Sequence, residues 1–135
     1  VGVSALTAFF AFGMTMSGLA AISLAFPGSV LEPMWRLNPH GRDGLAALGL
    51  PGVVLMAAVS MACLGAAAGL WLGRRWGRGL AMAILVINAV GDLLNGVLGN
   101  DRRALIGVPI AAALLYYLRS ARVRAFFDAG ERDDS

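Results

Sequence analysis

Asp92 stands alone as a carboxylate inside an apolar stretch of this chain, with Asn88 before it and Asn95 after it. At about 100° per residue these three side chains share one narrow helical face, which Gly99 continues. Two kinds of chemistry are open to such a carboxylate. It can bind a proton, a cation or a cationic solute, or it can accept hydrogen bonds from a neighbouring helix. Near a bilayer centre an acidic group costs roughly 2.5–3.5 kcal/mol on insertion scales, so it is expected to turn inward and pair. Thr15, Ser17 and Ser60 fall at a similar expected depth, as does the carbonyl of Leu105 if Pro109 frees it from helical bonding. Asn88, Asp92, Asn95, Thr15, Ser17 and Ser60 are therefore expected to form one polar intramembrane cluster. A proton relay needs a second acid, and no other Asp or Glu lies within an apolar stretch.

Other reactive residues are scattered. Glu32, His40 and Asp43 share one loop, but their irregular spacing and single His fall short of the three or four ligands a metal site needs. One His and one Cys in separate regions supply no hydrolytic constellation. Cys63 reads as a buried structural thiol. No catalytic residue, cofactor or metal is expected, and the chain reads as a non-enzyme.

Composition sets the environment in which Asp92 must be held. Of the 135 residues, 59% are hydrophobic and 14% charged, and the mean hydropathy is +0.74. These values place the chain among polytopic membrane proteins. The expected fold is all-α: a four-helix transmembrane bundle forming a single domain over 1–127. Its spans fall near 3–26, 51–73, 79–98 and 103–119, with an acidic, disordered tail at 128–135. The first span is longer than the signal-peptide core of about 7–15 residues and reads as a true span.

All eleven basic residues are Arg. Arg74, Arg75 and Arg78 lie between spans two and three, and Arg119, Arg122, Arg124 and Arg132 follow span four. By the positive-inside rule both termini and the middle loop are expected in the cytoplasm. The net charge of +3 predicts attraction to anionic headgroups on that side. Nucleic acid is not an expected partner, because the Arg residues flank spans and do not cover one soluble face. Trp35, Trp71 and Trp76 are expected as lipid-interface anchors beside Arg74, Arg75 and Arg78.

Gly65, Gly69 and Gly73 form a small-xxx-small series that predicts close helix packing. Its expected partner is either a second copy or the small face of span one, Ser4, Ala8, Ala11, Thr15 and Gly18. Ser29-Val30-Leu31-Glu32 has capping-box spacing and predicts a short helix carrying Leu31, Met34 and Trp35. A faint repeat aligns Asp43 to Pro51 with Asp101 to Pro109. Each Asp would cap an inward-running helix, and each Pro would kink it two turns later.

The run Phe26 to Pro39, the stretch Asn88 to Asn95 and the ending Tyr117 to Phe127 resemble small four-span bacterial integral membrane proteins to which no activity is assigned. The resemblance covers nearly the whole chain and implies a multi-pass protein of the bacterial cytoplasmic membrane. It brings no cofactor or catalytic residue. The functional expectation is a non-enzymatic accessory or scaffold subunit of a larger membrane assembly, in contact with other subunits or a second copy. The alternative is a small oligomeric transporter or channel that uses Asp92 for a proton, cation or cationic solute.

Overall fold

The computed structural model describes residues 2–98 and 104–130, without the side chains of Asn95, Ala104 and Gly130. Among the described residues there are helices and no strand: α1 (Gly2–Ala25), α2 (Pro39–Ala47), α3 (Leu50–Trp71), α4 (Arg75–Leu98), α5 (Gly107–Arg119) and α6 (Ala121–Gly130). Two 3₁₀ turns, Glu32–Leu37 and Ala104–Ile106, join them. α1, α3 and α4 have 24, 22 and 24 residues and are long and apolar enough to cross a membrane. At 1.5 Å per residue each exceeds the roughly 30 Å hydrocarbon core. This is a membrane protein.

The fourth expected span, 103–119, is shorter than anticipated. α5 has only 13 residues, or about 20 Å, because the chain enters it through the 3₁₀ turn Ala104–Ile106. At its other end Ser120 leaves helical geometry at ψ 146°, and its Oγ accepts from the Val123 N–H at 3.5 Å. Ser120 thereby caps α6, which runs from the end of the expected domain into the tail expected at 128–135. The tail expected from 128 is helical as far as Gly130, and 131–135 lie outside the described residues.

The contacts divide the chain into two units, Val1–Ala8 with Gly65–Ser135, and Phe9–Leu64. In the first unit Ala66, Leu70, Ala81, Leu85, Leu118 and Phe127 are buried. α3 ends in a Schellman motif: the Arg74 N–H donates to the Gly69 carbonyl at 2.9 Å and the Gly73 N–H to that of Leu70 at 3.2 Å. Gly73 takes φ +66°, a left-handed conformation costly to any residue with a Cβ. The chain reverses there, and α4 begins at Arg75.

That reversal corrects the reading of the glycine series. Within the chain, Gly65 and Gly69 face the start of α4 and not span one. A Cβ on Gly69 would lie 2.5 Å from the Gly77 Cα, and one on Gly65 would lie 3.1 Å from Leu80 Cδ2. Gly73 supplies the turn itself. Within the expected small face of span one, Ser4, Ala8 and Thr15 are exposed.

In the second unit α1 and α3 meet through other small residues. The Ser60 Oγ donates to the Met14 carbonyl at 2.9 Å. A Cβ on Gly18 would sit 3.2 Å from that hydroxyl, and one on Gly13 would sit 3.5 Å from Cys63 Sγ. Trp35 is no interface anchor: it is 9% exposed, and its indole N–H donates to Ser23 Oγ at 3.0 Å, with Ser23 itself buried. The 3₁₀ turn Glu32–Leu37 turns the ring inward.

The capping box is replaced by a different clasp. The Glu32 carboxylate accepts from the Gly28 N–H at 3.3 Å and pairs with Arg42 at 2.7 Å. Ser29 Oγ is buried with no partner among the described residues. Asp43 caps nothing, since α2 is capped by Asn38, whose Oδ1 accepts from the Gly41 N–H at 2.9 Å. Pro51 and Pro109 fall in the first turns of α3 and α5, where a missing N–H costs nothing, so neither kinks a helix.

The hydrogen bond from Arg42, then that from Gly28, hold the Glu32 carboxyl below the usual carboxylate range. A lowered folded-state value means stabilisation present above the ordinary glutamate pKa and lost as pH falls through the folded value. Hydrogen-exchange protection of the amides in 28–42 is expected to drop on acidification through that window. Arg42→Gln should leave that protection low and insensitive to pH over the same range.

Candidate intramembrane polar site

The six residues expected to cluster belong to both units. Thr15, Ser17 and Ser60 lie in the second, and Asn88, Asp92 and Asn95 in the first. The hydroxyls in the second unit are already satisfied. Thr15 donates to the Ala11 carbonyl at 3.0 Å and Ser17 to that of Gly13 at 2.6 Å, both within α1. Ser60 makes the interhelical bond to Met14 at 2.9 Å. These three act as local helix bonds and as one tie between helices.

The first unit holds the polar stripe of α4. α4 packs along α5, and a Cβ placed on Gly107 would collide with Asp92 Oδ2. Asp92 is half-buried, its carboxylate seated against the bare backbone at the start of α5. Ile106, the N-cap of α5, offers no side-chain acceptor to that helix end. Because Pro109 has no N–H, few first-turn donors remain near that carboxylate. Asp92 has no hydrogen-bond or ion-pair partner among the described residues. Leu105 lies in the 3₁₀ turn Ala104–Ile106 at the entry to α5.

Asn88 differs from its neighbour. It sits about 2 Å beyond the midpoint of α4 at 1.5 Å per residue, and it is exposed. Ile87, Val90, Gly91, Leu93 and Leu94 around it are exposed as well. A carboxamide thus stands uncovered midway along a membrane-length helix. Gly107 is the site residue that sequence reading missed, since nothing in the residue types pairs it with Asp92. The side chain of Asn95 lies outside the described residues.

No protein family, curated protein or solved structure matches this chain. Among the described residues no three His, Cys, Asp or Glu side chains come together as metal ligands. Glu32 is engaged by Arg42.

Of the residues expected at a lipid interface, Trp71, Trp76, Arg74, Arg75 and Arg78 lie around the Gly73 turn in the first unit. Trp71 and Trp76 are exposed on either side of the Gly73 turn. Arg75 pairs with Asp128 of α6 at 2.9 Å, so one of the expected anchoring arginines is tied to the segment after α5.

Proposed function

We propose that this protein is a non-enzymatic accessory or scaffold subunit of a larger membrane assembly. It sits as a four-span bundle with both termini cytoplasmic, in a bacterial cytoplasmic membrane. The observation that carries the reading is the exposed Asn88 carboxamide near the middle of α4. A polar group facing hydrocarbon without a partner is costly, whereas the same group facing another helix is ordinary interhelical glue. A helix of another subunit, or of a second copy, laid along Asn88 would cover the amide and the apolar side chains beside it. Asp92, seated on Gly107, fixes α4 to α5 and holds that face in place.

Mild-detergent purification from the native membrane tests the reading. The wild-type chain is expected to co-purify with a membrane partner or as a multimer. Interhelical polar contacts average about 0.6 kcal/mol and reach about 1.7, so Asn88→Leu should reduce that recovery roughly threefold to more than tenfold. Its helical content should be unchanged. A wild-type protein that purifies as a lone monomer would overturn the reading.

The second reading, a transporter or channel for a proton, cation or cationic solute, is favoured by the absence of an ion-pair partner for Asp92 among the described residues. It requires that Asp92→Asn abolish flux in liposomes. A scaffold would show no flux to abolish.

A further inference from the structure

Arg75 and Arg78 lie one turn apart on the first turns of α4, and Arg124 and Asp128 lie one turn apart on α6. The two pairs line a cleft of about 420 Å³ whose other walls are Gly79 and Met82. Three guanidinium groups and one carboxylate leave the cleft strongly positive. Asp128 accepts from Arg75 at 2.9 Å. Arg78 and Arg124 have no ion-pair partner among the described residues.

The depth of the cleft says which anion belongs in it. It lies at the start of a membrane-length helix, with exposed Trp76 beside it and the apolar run from Leu80 following directly. Met82 is about one turn deeper than Arg78, at 1.5 Å per residue, so the cleft runs from headgroup level to the top of the acyl region. Gly79 puts no side chain between the two levels. α6 is held against this end by its buried Val123 and Phe127.

We propose that this cleft is a specific site for an anionic phospholipid. The headgroup phosphate lies between Arg78 and Arg124, and the glycerol and upper acyl chain lie over Met82. Arginine suits this role because its planar fork binds phosphate oxygens in a bidentate manner. Asp128 tempers the site by occupying Arg75. The site does not depend on the accessory-subunit reading, since a transporter would meet the same leaflet.

Native mass spectrometry of the full chain in detergent supplies the test, with phosphatidylglycerol, phosphatidylcholine and inorganic phosphate as separate probes. Basic residues near an anionic surface are worth about 1 kcal/mol each, or roughly fivefold per guanidinium. The wild type should retain phosphatidylglycerol at least tenfold better than phosphatidylcholine. R78Q/R124Q should weaken phosphatidylglycerol binding about twentyfold, and R78K/R124K should keep most of it. Asp128→Asn should strengthen it several-fold. Equal binding of the two lipids by the wild type would overturn the proposal, as would unaltered phosphatidylglycerol binding by R78Q/R124Q. Displacement of phosphatidylglycerol by millimolar inorganic phosphate would overturn the lipid assignment in favour of a soluble phosphate. If R78Q/R124Q does not fold, Asp128→Asn decides: unchanged or weaker phosphatidylglycerol binding overturns the proposal.

Discussion

Gly77→Leu is expected to open the α3–α4 pair in mild detergent. A side chain at this position would drive into the Gly69 backbone, and its Cβ would also lie 2.7 Å from the Leu70 nitrogen. Overpacking that displaces flexible side chains costs about 1–3 kcal/mol. Here the obstacle is main chain hydrogen-bonded into a helix, so the cost should reach or exceed the top of that range. The denaturing midpoint in an SDS titration should fall sharply, and the emission of Trp71 and Trp76 should change with it. Gly79→Leu is the matched comparison two residues on, because nothing lies within 4 Å of a Cβ there. It should be neutral or mildly stabilising, since leucine favours a helix interior over glycine by roughly 0.8 kcal/mol.

Trp35→Ala should destabilise the second unit by about 3–5 kcal/mol, the range for emptying a buried aromatic site. The indole fills space beside α1 and donates its N–H to Ser23 across the loop. Trp35→Phe keeps most of the volume and gives up the hydrogen bond, for a loss of about 1 kcal/mol. Ser23→Ala leaves the indole N–H buried without an acceptor and should cost about 1–3 kcal/mol. A double-mutant cycle between the two positions, followed by SDS titration, measures their coupling. An interface anchor would show none, and its removal would weaken membrane partition with folding stability unchanged.

These two predictions mark where sequence reading ran well and where it ran short. The stretches around α1, α3 and α4 were legible within a few residues because sustained apolar length admits one interpretation. α5 and α6 were less so. The apolar run Ala104 to Leu118 conceals a 3₁₀ entry, and Ser120 looks like any polar residue after a span until it caps Val123. The glycine series announced close packing but not its partner. Gly73 carried the same spacing as Gly65 and Gly69 while serving as a turn, and only its positive φ reveals that the series folds back upon itself. Trp35 was misread because an aromatic near a span end serves equally as an anchor or as a plug. Its partner Ser23 lies twelve residues away. At the site, the isolation of Asp92 was visible in the residue types. Its seat on Gly107 was not, because a contact between an acid and a bare backbone leaves no mark in composition.

The Gly73 turn has a mechanical meaning as well. With so short a connection, α4 cannot rotate about its own axis independently of α3, and the Gly69–Gly77 contact clamps the two in one angular setting. One residue added at the joint would swing the outward bearing of Asn88 by about 100°. The joint works like a keyed coupling, transmitting the orientation of α3 to a polar group about three helical turns further along α4.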